Sequence, residues 1–169
     1  IKTEKHPPMD DALAASHFQI LIEDTKKAGL IHYEVCSFGT PDTFSKHNTS
    51  YWLGKPYLGV GPSAHSFDGK KRSWNVSSTT KYIKTLEKDQ LPLTKELLTP
   101  ANRFNEYLMT GLRTMWGISL SKTEEEYGVE FKNQLLKNAK KHMNSKTLVL
   151  ENDVLKTTQK GKFFCDGIA

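Results

Sequence analysis

An α/β fold is predicted by three features of the chain. A capped helix runs through a glycine straight into a strand, two strand-like apolar runs leave into glycine- and aromatic-rich loops, and a helix series followed by a hairpin closes the sequence. The first element lies in PPMDDALAASHFQILIEDTKKAGL. Pro7 and Pro8 precede it, Asp10 and Asp11 suit the positive helix start, and Lys26 and Lys27 suit its last turn. Leu13, Ile20 and Leu21 share one face, widened by Phe18 and Ile22, and Gly29 is placed to stop the helix. IHYEV follows with the alternation of a strand.

SFGTPDTFSKHNTSYWLGKP then shows no sustained period and is expected to be a long loop, a rare and often functional feature. It is unusually aromatic, with Phe38, Phe44, Tyr51 and Trp52. PYLGV is expected to be a second, buried strand. A polar stretch holds one helix near Thr79 to Lys88 and a linker. From Pro100 the helical period returns in Phe104, Leu108, Leu112 and Met115, stopped by Gly117. Ser121 and Glu124 have the spacing of a capping box, FKNQLLKNAKKHMN is a further amphipathic helix, and TLVLENDVLKTT is a hairpin turning at Asn152-Asp153. KGKFFCDGIA starts a last helix, so the C-terminal part has a winged-helix-like order of elements.

Composition excludes several function classes. With 37% hydrophobic and 25% charged residues the chain is that of a globular protein without low-complexity tracts. No apolar run approaches the roughly 20 residues of a membrane span, and IKTEKHPPMDD lacks the apolar core of a signal peptide. Cys36 and Cys165 form no C-x-x-C pair, so a reduced, cytoplasmic setting is the simpler expectation. The net charge of +5 could favour an anionic ligand such as a phosphate or propionate, a solvated basic surface being the simpler reading. Arg72, Arg103 and Arg113 are the three arginines, and residues 121–169 carry none, which argues against nucleic acid as a partner.

YLGVGPSAHSF contains the G-x-G-x-x-A spelling of a dinucleotide turn. Pro62 removes an N–H donor the turn would need, and SAHSFDGKKRSWN has no helical stripe to hold a pyrophosphate. What remains is a strand end bared at Gly59 and Gly61, open to a ligand or to close packing by another strand. His47 and His65 stand in strand-end loops beside Tyr51 and Trp52, where imidazoles could flank a planar ligand. Glu34 is expected to be an ordinary exposed strand residue, a polar site contact being the alternative.

HYEVCSF, HNTSYW, YLGVGPSAHSF and RSWN, continued by NRFNEYLMTGLR, GI and LKTTQKGKFFCDGI, resemble the C-terminal half of the HemW proteins, relatives of oxygen-independent coproporphyrinogen III oxidase in the radical S-adenosylmethionine (SAM) superfamily. The spelling HNxxYW (His47, Asn48, Tyr51, Trp52) marks the HemW branch. The resemblance implies the last strands of a partial (β/α) barrel over residues 1–95 and the family's C-terminal domain over 96–169. It implies haem chaperoning, with haem or porphyrin and haem-accepting proteins as partners; a genuine oxidase is the alternative and a winged-helix nucleic-acid binder the third. SAM and a [4Fe–4S] cluster on a CxxxCxxC motif are implied for the longer family members. This chain has no such motif and is expected to be inactive alone. By position, Gly59, Gly61, Ala64 and His65 correspond to the SAM-facing strand end, and His47, Asn48, Tyr51 and Trp52 to a haem site, with His47 as the implied haem-proximal residue. Cys36 and Ser37 depart from the usual Ser and Asn, which puts the polar contacts of that loop in doubt. For a porphyrin slot, Phe44, Tyr51, Trp52 and His47 offer aromatic walls and an imidazole, and Lys46, Lys55 or Arg72 offer cations for propionates. The start at Ile1 rather than Met is expected to lie within a longer protein, whose missing barrel half would expose an edge suited to a homodimer.

Overall fold

The computed structural model describes residues 10–169; Pro7 and Pro8 fall outside them. Helix α1 (Asp11–Lys27) starts on Asp10, whose carboxylate accepts from the N–H groups of Ala12 and Leu13 at 2.9 and 3.1 Å. Gly29, at φ +77°, ends it as expected. Strand β1 (Ile31–Glu34) follows and pairs antiparallel with β2 (Ser37–Gly39).

The long loop is not structureless. Beyond β2 it contains helix α2 (Lys46–Trp52), capped by Ser45, whose hydroxyl accepts from the Asn48 N–H. Seven residues rich in Thr, Ser and aromatics carry little intrinsic helical signal, and the helix is held instead by its neighbours. PYLGV is likewise not a buried strand. Tyr57 makes an isolated bridge with Phe67, while Leu58 and Val60 are 82% and 80% exposed. The apolar run fixed the strand-like extension, but no described residue covers the face on which those two side chains stand.

Strands β3 (His65–Phe67), β4 (Lys71–Asn75) and β5 (Leu93–Leu97) form an antiparallel sheet in that order, with helix α3 (Thr79–Leu86) between the last two. The sequence's linker therefore contains an edge strand. Its polar, exposed Lys95 and Glu96, following Pro92, hid the strand pattern.

Helix α4 (Pro100–Leu112) is capped by Thr99 with Pro100 in its first turn. Then come β6 (Ile118–Ser119), α5 (Leu120–Tyr127), α6 (Val129–Asn144), β7 (Leu148–Glu151), β8 (Val154–Thr157) and the short helices α7 (Gln159–Lys162) and α8 (Cys165–Ile168). The hairpin turns at Asn152 and Asp153, with φ of 47° and 70°, as their positive-φ tolerance predicted. The capping box is corrected: Ser119, not Ser121, caps α5, because Ile118–Ser119 pairs with β8 and ends at the helix start. Ser121 instead hydrogen-bonds the Asp153 carboxylate with both its backbone N–H and its hydroxyl.

Mixed α/β architecture is confirmed. The hydrophobic core gathers in the second half, where Phe104, Leu112, Ile118, Leu120, Leu135, Ala139, Leu148 and Leu155 pack together. Every described strand pair is antiparallel.

Candidate functional site

A cleft of about 740 Å³ opens where α2 and Tyr57 face α4 and the start of α5. Its walls carry Tyr51, Trp52, Tyr57, Phe67, Tyr107 and Trp116, and its rim carries Lys55, Arg72, Arg103 and Lys122. The aromatic wall is continuous. His47 stands edge-on to Tyr51 at 4.8 Å between ring centroids, Tyr51 to Tyr57 at 4.6 Å, and Tyr57 lies 6.1 Å from Phe67. His47 and Tyr51 meet because they are four residues apart on one helix.

Two elements set the opposite wall. The Tyr107 hydroxyl accepts from the Ser119 N–H at 2.9 Å, tying α4 to β6, and Lys122 stands 5.1 Å above its ring. Burial raises the Tyr107 pKa, against the opposing pull of that N–H. Burial, aided by the neighbouring Glu126 charge, pushes Tyr127 up to about 12. Both phenols are therefore neutral donors at physiological pH. Arg72 reaches Glu106 at 2.8 Å, so one of the expected propionate partners already has a carboxylate.

Behind the cleft sits a node that sequence reasoning missed. The Arg113 guanidinium lies 5.3 Å over the Trp52 ring and bonds Glu34 at 3.2 Å and Asp166 at 2.5 Å. Burial works against its charge, but the hydrogen bond and charge of Asp166 outweigh this and hold its pKa above the usual value. Glu34, expected to be exposed, is 3% exposed. Besides Arg113 it accepts from the Cys36 N–H at 3.1 Å and the Ser37 hydroxyl at 2.8 Å. The departures at Cys36 and Ser37 thus still leave a satisfied turn, one bond coming from backbone and the other from a hydroxyl. The only sequence signal for this node was a scarce arginine at the end of an amphipathic helix.

The predicted site residues divide into groups. Tyr51 and Trp52 line the cleft, with Lys55 and Arg72. His47 and Asn48 are exposed on the first turn of α2, outside the lining, as is Lys46. Phe44 turns elsewhere and stacks on Tyr33 at 4.2 Å. Gly59 is held by its own chain: a Cβ there would lie 2.1 Å from the His65 carbonyl oxygen. Its N–H donates to the Ser66 hydroxyl at 2.9 Å, and the Asn75 amide reaches the Gly61 carbonyl at 2.9 Å. Gly61 has φ +105° with open space beside it, and Ala64 accepts from the Asn75 N–H at 3.0 Å. His65 closes the turn against Gly59 through its backbone, its ring 6.0 Å from Trp74.

An iron–sulfur cluster does not fit the chain's own residues: Cys36 is exposed and Cys165 buried, and among the described residues no group of three or more His, Cys, Asp or Glu could hold a metal. Burial raises the Cys165 thiol to about 11, the reverse of a ligating thiolate. No described helix is long and apolar enough to cross a membrane.

Residues 98–164 match the HemN C-terminal domain. The chain is 27% identical over 147 residues to the heme chaperone HemW of Lactococcus lactis, covering 87% of this chain and 38% of that protein. It is 31% identical over 124 residues to the heme chaperone HemW of Bacillus subtilis, covering 72% and 32% respectively. A mitochondrial radical S-adenosyl methionine domain-containing protein 1 from Bos taurus is 34% identical over 131 residues, covering 67% of this chain and 28% of its own. Among solved structures, the coproporphyrinogen III oxidase HemN of Escherichia coli shares the fold at a TM-score of 0.68 with 17% identity, over 89% of this chain and 38% of that one. The chain thus spans well under half the length of these relatives. The domain match, the HemW relatives and the shared fold together identify it as a HemW-like fragment of the radical SAM group, carrying the HemN C-terminal domain.

Proposed function

We propose that this chain is the haem-binding portion of a HemW-like chaperone that passes haem to recipient proteins. The observation that supports it is the aromatic cleft between α2 and α4, large enough for a ligand of tetrapyrrole class and rimmed by cations that meet acidic side arms. Tyr51, Trp52 and Trp116 would pack on the macrocycle, while Lys55 and Arg103 would meet propionates. His47, exposed and in contact with Tyr51, is the imidazole nearest this wall along α2, and would meet the iron at the cleft's mouth. Asn48 stands beside it on the same first turn.

The SAM-facing role of Gly59, Gly61, Ala64 and His65 belongs to the same proposal, with the open side of Gly61 as the face that meets the cofactor in a longer protein. SAM would bring radical chemistry to that protein; the chain's own part is to shape this turn. Domain boundaries of 1–95 and 96–169, for a partial barrel and a winged-helix-like domain, fit the concentration of the core after Phe104. Homodimerisation through the exposed side of Leu58 and Val60 is the corresponding proposal for assembly.

Titration of haem into the purified chain tests this. A saturable Soret shift is expected, weakened roughly tenfold by His47→Ala and by Tyr51→Ala. A shift unchanged in His47→Ala removes that residue as ligand, and no saturable shift at all removes the cleft. Oxidation of coproporphyrinogen III by a longer protein containing this chain would favour the oxidase instead.

A further inference from the structure

A second concavity, of about 770 Å³, lies farther along the β3–β4 pair: it is lined by His65 and Trp74, where the cleft is lined by Phe67 and Arg72, and by α3. Lys81 and Lys84 stand one turn apart on α3, and Lys88 follows just past its end; all three line the cavity. No Asp or Glu lines it, and none of the three lysines joins an ion pair among the described residues. Unneutralised like charges on one helical face repel, so this cluster favours an anion.

Opposite the amines, His65 and Trp74 face each other across the β3–β4 pair, their rings 6.0 Å apart and inclined by 31°. His65 is exposed and Trp74 half-buried, so an aromatic surface is open to the cavity. Two of the polar lining residues, Asn75 and Thr85, are engaged, while Ser63, Ser77, Gln90 and Thr94 also line the cavity. The Asn75 amide donates to the Gly61 carbonyl, and the Thr85 hydroxyl to the Lys81 carbonyl. The cavity thus brings together a stacking surface and three ammonium groups.

We propose that this cavity binds a nucleoside polyphosphate, its base on Trp74 and His65 and its phosphates along Lys81, Lys84 and Lys88. Lysine ammoniums act as point charges suited to phosphate, and three of them in line match a polyphosphate better than a single carboxylate. A base has the flat face that an indole and an imidazole can stack. The site shares no residue with the haem cleft, and only His65 with the SAM-facing residues, so haem binding and nucleotide binding can each fail without the other.

Isothermal titration of the whole chain with ATP is the test, with tripolyphosphate, adenosine and a short oligoadenylate as comparison ligands. Saturable ATP binding is expected, weakened at least ~tenfold by Lys81→Gln/Lys84→Gln and by Lys88→Gln added to that pair. Tripolyphosphate is expected to bind roughly tenfold more weakly than ATP, because it lacks the stacked base. The lysine variants are on a solvent-facing surface and should keep the parent's thermal midpoint and its Soret response to haem. No saturable binding at millimolar ATP overturns the proposal, as does affinity unchanged in the lysine variants. Tripolyphosphate binding as tightly as ATP reduces the site to a basic surface, and oligoadenylate binding far more tightly than ATP assigns it to nucleic acid; either result overturns it.

Discussion

At the residue scale, the glycines of YLGVGPSAHSF separate into two physical roles. Gly59 has no room for a side chain, since a Cβ would lie 2.1 Å from the His65 carbonyl oxygen, a backbone atom that cannot swing away. Gly61 has room but holds φ +105°, where other residues are strained. Gly59→Ala is therefore expected to cost about 1–3 kcal/mol or more through overpacking and backbone shift. Gly61→Ala should cost about 1–2 kcal/mol through strain alone. Urea unfolding midpoints measure both; a Gly59→Ala chain as stable as the parent would show that the turn opens freely. The glycine spacing was visible in the sequence, but whether a ligand or the chain itself fills the gap depended on His65 folding back six residues later.

At the element scale, the β1–β2 hairpin carries a pH-sensitive contact. His32 stacks on Phe38 at 4.3 Å, its Nε2–H donates to the Val35 carbonyl at 3.0 Å, and Lys162 donates to the His32 carbonyl at 3.1 Å. Burial depresses the His32 pKa below 6.5, and the Lys162 charge adds to this, while the Val35 bond and Glu34 oppose it. The folded state thus binds fewer protons here than the unfolded one in mild acid. The contribution to stability is present in full above about pH 6.5 and is lost as pH falls through the lower folded value. The melting midpoint should fall between pH 7.5 and 5, and His32→Phe, which keeps an aromatic ring on Phe38, should flatten part of that slope. An equal slope in the variant would place the acid sensitivity elsewhere.

The same scale shows how local signal and tertiary support trade places. Helix α1 was legible from its acidic start, basic end and Gly29, because each of those acts within one turn. The hairpin turn at Asn152-Asp153 was legible for the same reason. Helix α2 was not, since its support comes from Trp52 against Arg113, distant in sequence, and Tyr51 against Tyr57 beyond the helix end. Strand β5 was hidden because an edge strand with an exposed face needs no apolar alternation.

At the scale of the whole molecule, Arg113 joins three regions: β1 through Glu34, α2 through Trp52 and α8 through Asp166. Arg113→Met would leave the Glu34 carboxylate buried without its cation. The loss is expected at about 2–4 kcal/mol, below the largest values for buried pairs because the arginine is partly exposed and Ser37 and the Cys36 N–H still serve Glu34. Guanidinium unfolding would measure it. Glu34→Gln in the Arg113→Met background should recover part of the loss, and failure to recover any would show that the arginine acts through Trp52 packing rather than through charge.

The sequence by itself determined the α/β class, the capped helix α1, the amphipathic helix α6, the C-terminal hairpin and, through HNxxYW and its companion stretches, the HemW resemblance that the relatives bear out. These rest on short-range chemistry or on residue identity, which a linear chain displays directly. Only the tertiary structure decided that Tyr51 and Trp52 face a cleft while His47 stays at its edge, that Glu34 is buried under Arg113, and that three lysines of the α3 region face Trp74 and His65. Each of those is set by how strands register and which helix face is buried, quantities that no local pattern carries.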